Sequence, residues 1–266
     1  MMISVEDIFV TILHGEIFTR SWRHKDVQKL APVILFHDSL GCVDMWKDFP
    51  LKMADTLKRD VIAFDRLGHG KSRGLPLHLD QHFISLDAKT YTDILLKYFN
   101  LNSVVLMGHS VGGGMALSAA AQFASKISRK VEKTISLAAQ TFVEDKTLEG
   151  IRVTSQKMLI ENKVEKLKKF HGEKAENIFH FWVNKWNSKE FKNWNLKEVI
   201  SNISCPVLAI HGGQDEYGSR AHPELIKNGL PEGQRQIFFM DDCGHFPHFE
   251  KPVEVLKAIK EFLAIT

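Results

Sequence analysis

The chain is poor in cysteine. Cys42, Cys205 and Cys243 are the only three in 266 residues, odd in number, far apart and never spaced as Cys-x-x-Cys. That excludes a disulfide framework and a cysteine zinc site and makes all three reduced thiols. Long apolar runs are missing as well, none approaching the roughly 20 residues that a membrane span requires. The first residues, Met1-Met2-Ile3-Ser4-Val5-Glu6-Asp7, lack the basic start and apolar centre of a signal peptide, so a cytoplasmic protein is expected. Charge of one sign is also scarce. The formal net charge is +3, and the basic excess is local, eleven Lys/Arg against six Glu within residues 151–200. Without a nucleic-acid-binding motif this reads as a solvated helical face, and no nucleic-acid partner is expected. Repeats and low-complexity linkers are absent. What remains is an ordinary composition, 44% hydrophobic and 25% charged, at a length where one α/β core with an insertion is expected.

Against that plain background one stretch stands out, Val104-Val105-Leu106-Met107-Gly108-His109-Ser110-Val111-Gly112-Gly113-Gly114. An apolar, β-branched run reaches a serine flanked two residues away on each side by glycine, and a small-residue segment follows. The reading is strand, sharp turn, helix: a nucleophile elbow, in which only glycine lets strand and helix pass so closely while the serine projects above the sheet edge.

The surrounding chain alternates in the same way. Residues 8–13 and 16–22, separated by His14-Gly15, read as a β-hairpin at a sheet edge. Pro32 to Phe36 and Asp60 to Phe64 are short continuous apolar runs, the mark of strands buried on both faces in a parallel sheet. Helical spacing follows each, at Trp46, Phe49, Met53 and Leu57, with Pro50 setting off the first turn, and at Tyr91, Ile94, Leu95 and Tyr98. With Ser103 to Met107 these make three successive βα units, whose right-handed crossovers put helices on both faces of one sheet. Lys133 to Ala139 is a further strand, and then the alternation stops. Residues 141–202 are Lys/Glu-rich and helical, with Ala175, Ile178, Phe179, Trp182, Val183 and Trp186 in a stripe. The stripe suits packing onto the body, an apolar roof over a pocket, or both. Strands return at Cys205 to His211 and Gln236 to Met240, with helices at 222–229 and 253–263.

A serine hydroxyl is a weak nucleophile at neutral pH and needs a histidine base and a carboxylate to hold that base's tautomer. Both occur after later strands, in Gly212-Gly213-Gln214-Asp215-Glu216 and in Asp241-Asp242-Cys243-Gly244-His245-Phe246-Pro247-His248. The carboxyl ends of parallel strands share one edge, so Ser110, Asp215 and His245 can converge although far apart in sequence. Glu216 rivals Asp215, and Glu144 or Asp145, after the sixth strand, could serve instead. His248 is the alternative base. His245 and His248 lack the glutamate and third ligand of a zinc helix, and no metal or cofactor is expected. For a tetrahedral oxyanion the two N–H donors are expected from Val111 and from Ser39, in the loop His37-Asp38-Ser39-Leu40-Gly41. His37, Phe179, Trp182 and Trp186 are the candidate substrate contacts.

These pieces, with Asp65-Arg66-Leu67-Gly68-His69-Gly70-Lys71-Ser72, resemble the α/β-hydrolase superfamily over nearly the whole chain, specifically its capped serine-hydrolase branch. The resemblance implies a mostly parallel eight-stranded sheet with helices on both faces, a core at 1–140 and 203–266, and a helical cap at 141–202 inserted after strand six. Asp38 departs from the family's usual glycine there; aspartate tolerates a left-handed backbone better than most residues. Ser110 excludes the dehalogenases and epoxide hydrolases of this superfamily, which attack with aspartate. The activity expected is hydrolysis of a small or medium acyl ester, with small-molecule substrates as partners and the oligomeric state open. A carbon–carbon hydrolase of ring-fission dienones is the enzymatic alternative, which a basic residue facing the pocket would support. A hydrolase-fold receptor is the non-enzymatic one.

Overall fold

The computed structural model of the chain describes residues 2–25, 30–124 and 130–264. The chain opens with the antiparallel pair β1 (Ile3–Ile12) and β2 (Gly15–His24), each longer than its apolar pattern suggested. β3 (Val33–Phe36) leads through a single helical turn at Val43–Trp46 into α1 (Phe49–Leu57), where Pro50 sits in the first turn and its missing N–H costs nothing. Then come β4 (Val61–Phe64), α2 (Phe83–Tyr98), β5 (Ser103–His109), α3 (Val111–Phe123) and β6 (Lys130–Leu137). The sheet order is β1-β2-β4-β3-β5-β6-β7-β8, completed by β7 (Val207–Gly212) and β8 (Arg235–Met240). β2 runs against both neighbours, and every other pairing is parallel.

The central strands read as unbroken apolar runs because both faces are covered, yet the faces still alternate with the period of two. Ile34, Phe36, Ile62, Phe64, Val104 and Leu106 pack with Tyr91, Leu95 and Met115 on the α2–α3 side. Val33, Leu35, Val61, Ala63, Val105 and Met107 pack on the other, with Phe49 and Met53 of α1. The strand order turns outward in both directions between β3 and β5, so the loops after these two strands part and leave a crevice at their carboxyl ends.

Between β6 and β7 lie α4 (Asp145–Ile160), α5 (Lys163–His171), α6 (Ala175–Trp186) and α7 (Lys197–Ser201). The insertion leaves and re-enters the body at one place: Phe142 bridges Asn195, the Val143 N–H donates to Trp194 O (3.3 Å) and the Leu196 N–H to Thr141 O (2.7 Å). α7 lies beyond this stem and packs on α3. Elsewhere the inserted helices are tied down by polar anchors. The His171 ring accepts the Gly70 N–H and meets Leu40 O, both at 2.9 Å, and the Lys174 ammonium donates to the carbonyls of His69, Gly70 and Ser72. α8 (Ala221–Gly229) follows β7; after β8 the chain adds a short α9 (Pro247–Glu250), absent from the sequence reading, and ends in α10 (Pro252–Ala264). No helix among the described residues is long and apolar enough to cross a membrane.

Candidate active site

Ser110 sits at φ 57° and ψ −125°, a backbone that a non-glycine residue adopts only when its surroundings hold it there. Two glycines do so. A Cβ on Gly108 would stand 1.9 Å from the Gly112 carbonyl oxygen, and one on Gly112 would stand 2.2 Å from that of Phe36. The strand and α3 therefore cross at backbone contact, and the serine hydroxyl is thrust over the sheet edge at the head of the helix.

There it meets His245. Ser110 Oγ lies 3.0 Å from His245 Nε2, and His245 Nδ1 lies 2.8 Å from Asp215 Oδ2. Asp215, fully buried in the turn after β7, also accepts the Tyr217 N–H (2.8 Å) and the Gly218 N–H (3.1 Å) on its other oxygen. Burial by itself would raise this carboxyl, but the charge and hydrogen bond of His245 bring it down to about 2. Burial likewise works against a charged ring at His245, yet Asp215 raises its pKa above the ordinary histidine value. Asp215 is thus an anion aimed at the histidine. The loop carrying His245 is closed by α9, whose Glu250 carboxylate accepts the N–H groups of Gly244 (2.8 Å) and Phe246 (3.1 Å).

The rival acids and base go elsewhere. Glu144 accepts from Ser219 N–H (2.6 Å) and Ser219 Oγ (2.9 Å) and lies 3.1 Å from His222 Nε2; these contacts, that with His222 foremost, hold its carboxyl at about 2. Asp145 is exposed at the start of α4, and Glu216 is exposed on the cavity wall beside Asp215. His248 is buried against Trp46 and Phe49, with burial pushing its pKa well below normal.

Of the expected oxyanion donors, Val111 is the first residue of α3, whose dipole favours an anion, and Ser39 lies with Ser110 on the cavity wall. His37 is buried and is not on the cavity wall. Its Nε2 accepts the Arg66 N–H (3.1 Å) and its Nδ1 donates to Asp38 O (2.8 Å), so this buried ring straps the loops after β3 and β4 together. Asp38 needs no left-handed backbone: its φ is not positive, and its carboxylate accepts the Leu40 N–H (2.9 Å) and stands 3.4 Å from His109 Nδ1.

Above these groups is a cavity of about 550 Å³, walled by the β3 loop, α4, α5, Trp182 and Trp186. The aromatic stripe divides. Trp182 and Trp186 reach the wall, whereas Phe179, one turn away, is off the wall and buried in the hydrophobic core on α6, which packs on α4 and α5. One residue at the centre escaped sequence reasoning: Gln140, whose Oε1 accepts the Ser110 hydroxyl at 3.0 Å. No motif marks it. It arrives because β6 ends at Leu137 and the next residue, Ala138, takes φ 46° and turns the chain over Ser110. Tyr217 was also missed; its ring centroid lies 4.6 Å from that of His245. Among the described residues no group of three or more His, Cys, Asp or Glu gathers as metal ligands would.

Known proteins match this arrangement at the level of family. Residues 31–173 match the family model described as alpha/beta hydrolase fold. The human "Serine hydrolase BPHL" is 30% identical over 212 residues, covering 76% of this chain and 69% of that protein. The "Bifunctional esterase/perhydrolase DCH" of Acinetobacter calcoaceticus is 26% identical over 260 residues, covering 83% and 88%. Among solved structures, the carboxylesterase CesB of Bacillus subtilis superposes with a TM-score of 0.70 at 16% identity, over 98% of this chain and 92% of that one, a likeness of fold. The chain belongs to the α/β-hydrolase family and is a serine hydrolase of that fold.

Proposed function

We propose that this chain hydrolyses carboxylic esters of small to medium acyl groups, with Ser110 as nucleophile, His245 as general base and acid, and Asp215 holding the His245 tautomer. The reading is carried by one observation: the unbroken relay from Ser110 Oγ to His245 Nε2 (3.0 Å) and from Nδ1 to Asp215 (2.8 Å), opening on a cavity. His245 Nε2 takes the hydroxyl proton as Ser110 Oγ attacks the ester carbonyl. The N–H groups of Val111 and Ser39 receive the oxyanion, and the imidazolium gives its proton to the departing alcohol, leaving an acyl-serine. Water, deprotonated by the same nitrogen, then releases the acid. Within residues 141–202 the helices α4 to α6 act as the lid, with Trp182 and Trp186 against the acyl chain, while α7 stays on the body. The relatives named serine hydrolase and esterase support the same class.

A fluorophosphonate should label Ser110 and no other serine, and Ser110→Ala should abolish the label and lower turnover of a para-nitrophenyl ester by several orders of magnitude. Labelling elsewhere, or near-parental turnover, would sink the assignment. A carbon–carbon hydrolase of dienone acids would use the same relay, and it is favoured to the extent that Lys157, Lys163 and Lys166 stand on the cavity wall. A dienone acid therefore belongs on the first substrate panel.

A further inference from the structure

We infer that the far end of the cavity is an anion-binding subsite, and that the favoured esters carry a negatively charged group remote from the scissile carbonyl. The inference rests on the ester-hydrolase reading above and names the substrate class of the same site.

One helix runs the length of the cavity. Thr147, Ile151, Thr154 and Met158 of α4, spaced by four, three and four residues, lie on its wall. The first of them marks the relay end, because Thr147 Oγ1 donates to the carbonyl of Tyr217 (2.7 Å), whose ring packs on His245. Lys157 comes ten residues later, about 15 Å along the axis at the helical rise of about 1.5 Å per residue. There the chain turns into α5, which brings Lys163 and Lys166 onto the same wall beside Leu167 and Phe170. The lining thus passes from the relay, across apolar side chains, to three lysines.

Little acid offsets them. Glu161 is the one carboxylate among them, paired with Lys163 at 2.6 Å and within electrostatic reach of Lys157 and Lys166, so three ammonium groups share one negative charge; Glu165 is taken by Lys168 at 2.9 Å. Lys157 and Lys166 have no ion pair among the described residues, and Glu216, the other carboxylate on the wall besides Asp38, sits at the relay end. A neutral chain long enough to fill the cavity would bring its apolar end among ammonium groups that must shed water to meet it. An anion in that place exchanges water for opposite charge, and clefts of one sign draw such substrates in. The charge can belong to the end of the acyl chain or to the alcohol.

The test compares para-nitrophenyl half-esters of dicarboxylic acids of increasing length with methyl-terminated esters of equal length. A second arm uses one acyl group esterified to alcohols with and without a carboxylate or phosphate. In one arm, at one length, kcat/KM for the charged ester should exceed the neutral by about tenfold, the scale of a few partly exposed ion pairs, chiefly through KM. High salt should erase the preference. The combined Lys157→Glu, Lys163→Glu, Lys166→Glu variant should reverse it, and single Lys166→Glu should weaken it. Acyl-arm preference puts the anion on the acid, and alcohol-arm preference puts it on the leaving group. Equal turnover of charged and neutral esters in both arms overturns the subsite, as does an unchanged ratio in the lysine variants, or stimulation by anionic vesicles without any preference for charged ester. If no ester turns over and no probe labels Ser110, the ester reading itself has failed.

Discussion

Around Ser110 the backbone leaves no room: Gly108 and Gly112 bring β5, α3 and the β3 loop to within one atom of each other, and the relay side chains are buried. Across the cavity α4 and α5 present methionine, leucine and lysine from helices tied to the body by a stem and by polar anchors such as His171 and Lys174. One wall is defined by steric exclusion at the backbone, the other by side chains on helices with solvent behind them. Chemistry needs sub-ångström placement of Oγ against Nε2, which the first kind of construction supplies. Selectivity needs only surface of the right shape and charge, and in the proposed function the second kind supplies it at little risk to the first. Substitutions on the two sides should accordingly fail in different currencies.

The largest contrast is between two acids. Asp215→Asn should cut kcat by about 10⁴-fold by presenting the wrong imidazole tautomer, with little change in melting temperature. Glu144→Gln, which loosens the start of α4 from Ser219 and His222, should lower the melting temperature and leave kcat within a few-fold; Asp145→Asn should do neither. Steady-state kinetics and calorimetry on the three variants check this, and a crippling Glu144→Gln would move the acid to the other wall.

The same glycine change made on each side should diverge next. Gly112→Ala forces a Cβ against the Phe36 carbonyl and should cost about 3 kcal/mol or more, read as a fall in denaturant midpoint. Gly172, at φ 60° and ψ −143° between α5 and α6, has nothing within 4 Å of a Cβ, so Gly172→Ala should cost only backbone strain, about 1–3 kcal/mol. Equal losses would mean that backbone crowding at the elbow is not what distinguishes the two regions.

Within the stripe, Trp186→Ala should lower kcat/KM for longer acyl esters roughly tenfold, since each buried CH₂ is worth about 0.8 kcal/mol, and leave acetyl esters nearly untouched. Phe179→Ala should melt earlier and keep the parental chain-length profile. An unchanged profile in Trp186→Ala would make the whole stripe packing.

The smallest effect concerns Gln140. When His245 is charged, its Nε2–H donates to Ser110 Oγ, and the serine proton turns to Gln140 Oε1; when His245 is neutral, Nε2 takes that proton instead. Gln140 therefore stabilises the charged form, which in the proposed mechanism cannot act as the base. Activity should rise with pH through the His245 pKa, above the ordinary histidine value, and Gln140→Leu should move that acid limb of kcat/KM about half a unit lower. A limb that stays in place would remove Gln140 from the proton's path.

Much of the body was legible because its signals are local. Short apolar runs, helical spacing and the glycine bracket around Ser110 each state a backbone conformation within a few residues, and the eight-stranded sheet follows from repeating them. Strand ends were the weaker part. β1 and β2 extend past their apolar patterns because antiparallel hydrogen bonds continue regardless of side chain. β6 starts earlier, at Lys130, and stops at Leu137 because Ala138 takes a left-handed turn that no residue type announced.

By itself the sequence determined the order of βα units, the strained serine between them and the presence of a carboxylate and a histidine after later strands, since each follows from steric and hydrophobic preferences of neighbouring residues. Tertiary structure alone decided that Asp215 rather than Glu144 meets His245, that His37 faces inward, that Trp182 and Trp186 reach the cavity while Phe179 does not, and that Gln140 and three lysines do. The reason is physical. Periodicity tells a residue that it will be buried, but what it is buried against is set by how strands order and helices cross, and those are contacts between residues far apart in the chain.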